Sequence, residues 1–194
     1  MIADTFSAEV AGAALDAGAA AVNDISGGAE ESMLELVADR GCGYVLMHIE
    51  GPPRVDRETP HYDDPVDHLR AWFEARLEAA SAAGVDADQI VLDPGFDFDL
   101  SVDDDLEILH RLGELRALGR PVFLALSRKD FLGAVLAGSW ESRVPAEDRE
   151  WATASATALA VASGAEILRL HDVSALDALR VAEAIAGPAE VAVE

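Results

Sequence analysis

Cysteine is all but absent: the 194 residues contain Cys42 alone, set between two glycines, so neither an internal disulfide nor a cysteine-based metal centre is available. No apolar run reaches the roughly 18 residues a membrane-spanning helix needs. The first residues include Asp4 and Glu9, where an export signal is basic and then apolar. The expectation is a soluble, cytoplasmic protein. Positive charge is scarce, with 14 Lys and Arg against 37 Asp and Glu and a net charge of −23. Such a surface repels nucleic acid and anionic membranes, both of which require a basic footprint. Lysine is scarcer still, since Lys129 is the one lysine among those 14 basic residues. No Gly-x-Ser-x-Gly elbow, Gly-x-Gly-x-x-Gly turn or Walker loop occurs, which argues against serine hydrolases, dinucleotide folds and P-loop enzymes. What is plentiful is apolar surface: 51% of residues are hydrophobic, enough for one sizeable core.

Short aliphatic runs alternate with longer segments of helical period. The runs are Ile2 to Thr5, Ala20 to Asp24, Tyr44 to His48, Ile90 to Asp93, Val122 to Leu126 and Ile167 to Leu170. Amphipathic stretches lie between them, such as Leu69, Trp72, Phe73, Arg76, Leu77 and the row Leu106, Leu109, Leu112, Leu115. Gly18, Gly84, Gly119 and Gly164 follow periodic segments, where a left-handed residue closes a helix. Segments 49–64 and 137–148 read as rim loops. Alternation predicts parallel strands with right-handed crossovers, which puts every strand's C-terminal end on one face. Polar residues fall at the end of every strand, a distribution that suits a closed barrel drawing its site from many strands better than an open sheet with one switch point. The fold expected is therefore α/β, a (β/α)8-type TIM barrel. Six strands are counted where eight are needed, so the barrel is expected to be incomplete, lacking about its first two βα units, with residues 1–194 forming one domain.

Three groups carry the chemistry. Ile90-Val-Leu-Asp93 ends in a carboxylate aimed at the barrel mouth, able to accept two N–H bonds from an amidine-like edge, with Phe98 placed to cover a ring; the alternative is that Asp93 caps the turn before Pro94. Ser127-Arg128-Lys129 ends a buried strand in two cations, suited to an anionic or carbonyl-bearing ligand. Arg169 and His171 share a face of the last strand by the period of two and can grip a phosphate, with Ser174 opening a helix beside them; alternatively Arg169 pairs with a carboxylate. The acids of 97–105 do not form an EF-hand loop, because Val102 and Ile108 stand where glycine and glutamate are required. Asp103 to Asp105 instead read as the acidic first turn of a helix. His48 ends a strand without an assigned role, and His61, His68 and His110 carry no comparable argument.

Six blocks, Asp4-Thr5, Asn23-Asp24-Ile25, Leu46-Met-His48, Leu92-Asp-Pro-Gly95, Ser127-Arg-Lys129 and Arg169-Leu-His-Asp-Val173, taken together and in order, resemble the dihydropteroate synthase family. The resemblance implies condensation of 6-hydroxymethyl-7,8-dihydropterin diphosphate with 4-aminobenzoate to give 7,8-dihydropteroate. It implies that Asp4, Asn23, Asp93 and Lys129 bind the pterin, with Ile25, Met47 and Phe98 lining its pocket. Arg169 and His171 would hold the diphosphate, Lys129, Arg169 and His171 being the catalytic set, while Ser127 and Arg128 face 4-aminobenzoate. Magnesium would assist, held by an asparagine of an upstream strand rather than by this chain, and a homodimer is implied when the protein is full length. Other readings are a pterin-binding paralogue without synthase activity and a folate-dependent methyltransferase domain working with a cobalamin partner; the phosphate grip of Arg169 and His171 argues against the latter.

The chain also departs from the family pattern. Asp97-Phe98-Asp99-Leu100 replaces the usual Gly-Phe-Gly-Lys, which places two acids near an anionic substrate and is expected to weaken its binding. Ala125 replaces a glycine, which is expected to narrow the pterin pocket, and Asp130 stands where serine is common.

Overall fold

The computed structural model describes residues 1–173, 179–181 and 184–185, so Ser174, expected to open a helix, lies outside the described residues. Six parallel strands run in chain order: β1 (Ile2–Asp4), β2 (Ala21–Asp24), β3 (Gly43–Met47), β4 (Ile90–Asp93), β5 (Phe123–Leu124) and β6 (Ile167–Leu168). β1 to β4 form one sheet in sequential order, and β5 pairs with β6. The two sheets are joined by a parallel bridge between Leu92 and Val122 and by the Leu92 N–H donating to the Pro121 carbonyl at 2.9 Å. Each strand thus lies beside its predecessor, which is the connectivity of a (β/α) barrel wall.

The helices are α1 (Ala8–Asp16), α2 (Glu31–Arg40), α3 (Pro65–Ala82), α4 (Val102–His110), α5 (Asp130–Ala137) and α6 (Glu150–Ala162). Their starts follow local chemistry. Asp64 accepts from the Val66 and Asp67 N–H groups at the head of α3, with Pro65 in the first turn where its missing N–H costs nothing. Ser101 and Asp104 form a reciprocal capping box at α4. All four glycines expected to close helical segments adopt positive φ, from 65° at Gly119 to 103° at Gly164. Tyr44, Leu46, Phe73, Leu92, Ile108 and Phe131, each nearly inaccessible, fill the layer between strands and helices. Among the described residues no helix is long and apolar enough to cross a membrane.

The structure corrects the sequence reading in two places. The row Leu106 to Leu115 is not one helix: α4 stops at His110, and a 3-10 segment follows over Leu112–Leu118. A strict spacing of three matches the three-residue turn of that helix, and Leu112 and Leu115 are both buried by it. The break is at Arg111, whose guanidinium is held by Asp64, Glu107 and Glu114 at 2.9, 3.3 and 2.7 Å. β5 and β6 are each two residues long, shorter than their aliphatic runs, although the Arg169 N–H continues the ladder to the Leu124 carbonyl at 2.9 Å. Asp103 to Asp105 do form the acidic first turn of α4 as expected, and Asp105 is in addition buried.

Candidate functional site

The C-terminal ends of the strands surround a cavity of about 330 Å³. Each strand contributes to its wall. Asp4 comes from β1, Asn23 and Ile25 from β2 and the residue just after it, Met47 from β3, and Asp93 from β4. Phe98 follows in the turn after β4, Ser127 and Lys129 in the turn after β5, and Arg169 and His171 beyond β6. Ten of the eleven residues expected at a site are therefore brought together, spread over 168 positions of chain.

The eleventh, Arg128, is placed elsewhere. Its backbone takes φ 61°, which turns the side chain away from the cavity and onto α6. Its guanidinium lies 3.4 Å from Glu150, and its N–H donates to Thr153 Oγ1 at 3.0 Å. Arg149, itself buried, takes the Arg128 carbonyl at 2.8 Å and pairs with Asp130 at 2.6 Å. Arg128 thus anchors the turn that presents Lys129 rather than lining the cavity.

The cavity wall has distinct polar partners. Asp93 is buried, and its Oδ1 accepts from the Gly95 N–H at 2.9 Å, so the turn-capping role and the cavity position coexist. Burial pushes its carboxyl up to about 6, with the Gly95 hydrogen bond, Lys129 and Arg169 pulling the other way. Asn23 is also buried, and its Oδ1 has no hydrogen-bond partner in the protein. A buried carbonyl left unpaired costs about 1–3 kcal/mol, a debt that a ligand N–H would cancel. Lys129 Nζ donates to the Phe96 carbonyl at 2.7 Å and sits 4.5 Å from the Phe98 ring centre. It is thereby fixed at the mouth with a cation–π contact beneath it. His171 Nδ1 lies 2.8 Å from Ser127 Oγ. Arg169 pairs with Asp4 at 3.3 Å, so the carboxylate partner raised for it from sequence is present, and it is another wall residue.

Asp24, adjacent to Asn23 in the same motif, points to the other side of β2 as the period of two demands. It is fully buried and accepts from Ser26 N and Oγ, Gly28 N and the Tyr44 hydroxyl at 2.6 to 3.1 Å. Four donors on one carboxylate make it the anchor of the loop after β2. Tyr44 is correspondingly pushed far up by burial and by that carboxylate.

The two acids expected to repel an anionic substrate are engaged elsewhere. Asp97 accepts from the Asp130 and Phe131 N–H groups at 2.5 and 2.9 Å, capping α5 from a distant turn. Asp99 accepts from Arg57 Nε at 2.6 Å and from the Glu50 N–H at 3.0 Å, which ties the 49–64 segment to the rim. Neither lines the cavity. Both take left-handed φ, 63° and 56°, at the positions where the family pattern has glycine. Asp is among the few residues that tolerate this region, and each side chain gains hydrogen bonds there. Asp105 lies behind Asp97, accepting its N–H at 3.3 Å; burial and the Asp97 charge push the Asp105 carboxyl up to about 8.

Gly95, Phe96, Ala125 and Leu170 also line the cavity and were not assigned as site residues from sequence. The one prior signal was the Ala125 departure. Phe96 acts through its carbonyl, to which no side-chain pattern points.

A family model described as pterin binding enzyme matches residues 1–171. Dihydropteroate synthase of Mycobacterium leprae is 45% identical over 92% of this chain and 64% of its own length. That of Synechocystis is 38% identical over 94% of this chain and 62% of its own. The chain thus spans somewhat under two thirds of these relatives. Among solved structures, Xanthomonas albilineans dihydropteroate synthase in complex with 7,8-dihydropteroate superposes with a TM-score of 0.85 at 38% identity, covering 96% of this chain and 67% of the other. The Thermus thermophilus enzyme in complex with 4-aminobenzoate gives 0.86 at 39%, covering 95% and 70%. With a parallel six-strand wall, a cavity at its C-terminal face and these matches, the chain belongs to the pterin binding enzyme family.

Proposed function

We propose that residues 1–194 form a pterin-binding domain that carries out the dihydropteroate synthase reaction, joining 6-hydroxymethyl-7,8-dihydropterin diphosphate to 4-aminobenzoate. The observation that carries this reading is the pair of buried acceptors on the cavity wall, Asp93 and the unpartnered Asn23 Oδ1, facing one space with Lys129. A pterin's pyrimidinone edge offers several N–H donors to such acceptors, and its carbonyl suits an ammonium.

In the proposed mechanism the pterin lies against Ile25, Met47 and Phe98, with Asp93 and Asn23 fixing its N–H edge. The C–O bond between the exocyclic methylene and the diphosphate breaks, and its electron pair leaves with the diphosphate toward Arg169 and His171. Positive charge left on the methylene is delocalised into the pterin, and the Asp93 carboxylate stabilises it through the ring N–H groups. The 4-aminobenzoate nitrogen then forms the new C–N bond and loses a proton. Ser127 serves by holding the His171 ring and faces the 4-aminobenzoate side, whereas Arg128 is withdrawn from both substrates.

Magnesium, which the family resemblance brings with it, prefers near-octahedral oxygen ligands. Of the oxygens on the cavity wall, Asp4 is paired with Arg169, and Asp93 is buried with one oxygen taken by the Gly95 N–H. The described residues do not converge an all-oxygen ligand set, so these residues do not fit the ion. Cytoplasmic location and a homodimer belong to the same proposal. Trp151 and Leu159, left exposed on α6, support a second copy packing there.

The test pairs calorimetric binding of 6-hydroxymethylpterin with a turnover assay using both substrates, on the wild-type chain and Asp93→Asn. Binding that Asp93→Asn weakens by roughly 100-fold, together with dihydropteroate formation by the wild type, is the expected result. Binding without turnover supports the paralogue reading instead. A folded chain that binds no pterin sinks both.

A further inference from the structure

On the far side of β3 from the cavity, three ligating side chains converge that the pterin chemistry does not use. His48, directly after β3, is completely buried. Its Nε2 lies 3.1 Å from Glu50 Oε1, and His68 Nε2, in the first turns of α3, lies 2.5 Å from the same oxygen. All three donor atoms fall within 4.8 Å of one another. We propose that His48, Glu50 and His68 form a binding site for a divalent transition metal of the zinc class, separate from the pterin cavity.

The chemistry is that of a two-histidine, one-carboxylate set, which suits zinc and its neighbours rather than magnesium or calcium. Tetrahedral zinc at ordinary bond lengths holds its ligand atoms roughly 3.3 Å apart, so the three donors need shift by only about an ångström or less. Glu50 and His68 are partly exposed, which leaves a path for the ion and an open coordination position for water. None of the three lines the cavity.

The surrounding groups pack these side chains in place. Trp72 packs edge-on against the His48 ring at 5.0 Å between centres, Tyr62 packs on His68 at 4.4 Å, and Asp99 takes the Glu50 N–H. His48 Nδ1 is buried with no partner, and the ring's one hydrogen bond is from Nε2 to Glu50. An ion there would pin the 49–64 segment, through Glu50, to the end of β3 and to α3.

The experiment titrates the metal-free chain with Co2+, read by its visible absorption, and with Zn2+, read by competition and by thermal unfolding. Tryptic cleavage at Arg54 and Arg57 provides an independent report on the 49–64 segment. One ion per chain is expected, with a tetrahedral cobalt spectrum, a raised melting temperature and slower cleavage. His68→Asn and Glu50→Gln, both at partly exposed positions, should each weaken binding by about 100-fold or more, beyond the loss seen for outer partners. His61→Asn should change nothing, because His61 and its neighbour Asp63 are fully exposed and 3.9 Å apart. A folded wild-type chain without a cobalt band, or variants at 50 and 68 that bind as the wild type does, would overturn the site.

Discussion

Asp93 and Asp4 line the same cavity, yet one is buried at the end of β4 and the other, at the end of β1, has a side chain 48% exposed and a partner, Arg169, that is 62% exposed. The inner strands β2 to β4 present their polar groups in a low-dielectric wall, where each hydrogen bond is strong and each missing one is costly. The outer strands β1 and β6 present groups of the same chemical type to water, where charge pairs are screened. The inner ends are thereby suited to recognising a neutral heterocycle edge by hydrogen bonds. The outer ends are suited to meeting a mobile anion, whose own charge is large enough to survive screening.

The largest break in that contrast is Asp93→Asn. Loss of a buried charged acceptor should lower pterin affinity by roughly 100-fold, since hydrogen bonds to a charged group are worth about 1.5–3 kcal/mol. Isothermal calorimetry measures it directly, and an equal loss from Asp4→Asn would erase the distinction between inner and outer strands.

A second test uses Asp105, buried behind the rim. Its folded carboxyl is raised to about 8 from an ordinary value near 4, so between those pH values the folded state binds a proton that the unfolded chain has released. Stability from this group is full below about 4 and is lost as pH rises toward 8. Asp105→Asn keeps an acceptor for the Asp97 N–H without the charge. It should raise stability at pH 8 on the order of 2 kcal/mol and flatten the slope, as read by urea unfolding at several pH values.

Asp93 titrates in a lower window. With its carboxyl raised to about 6, an N–H-donating ligand that requires the anion must displace a proton below that pH. Pterin affinity should therefore fall by about tenfold for each pH unit below 6 and stay level above it. An affinity that is flat from pH 5 to 8 would show that the carboxyl is not the recognition element.

Much of this arrangement was legible in the chain because period and position agree. Aliphatic runs set six strands, the period of two put Arg169 and His171 on one face, and the family resemblance singled out Asn23. Adjacent polar residues were harder to separate. Asp24 beside Asn23 and Arg128 beside Lys129 look equally capable in sequence, and only strand alternation in one case and a left-handed turn in the other sends them outward. The engagement of Asp97 and Asp99 was not legible because their partners, the head of α5 and Arg57, lie 33 and 42 residues away. The cluster of His48, Glu50 and His68 was invisible for the same reason: it depends on how the 49–64 segment returns to α3, and no periodicity encodes that.

The smallest effect concerns the outer pair. A double-mutant cycle on Asp4→Ala and Arg169→Ala, followed by thermal unfolding, should give a coupling of about 0.5 kcal/mol or less. At 0.5 M salt it should shrink further, because exposed charges are screened over only a few ångströms there. The geometry is one 3.3 Å contact between two solvated side chains, with no second hydrogen bond to hold it. The same substitution at Arg169 should matter far more once a diphosphate is present, since an anion of several charges replaces a single carboxylate as its partner. A large coupling in the ligand-free chain would mean that Arg169 is committed to Asp4 and must be released before it can meet a substrate. A small one leaves the guanidinium free to exchange partners, which is what a group that grips a leaving anion and then lets it go requires.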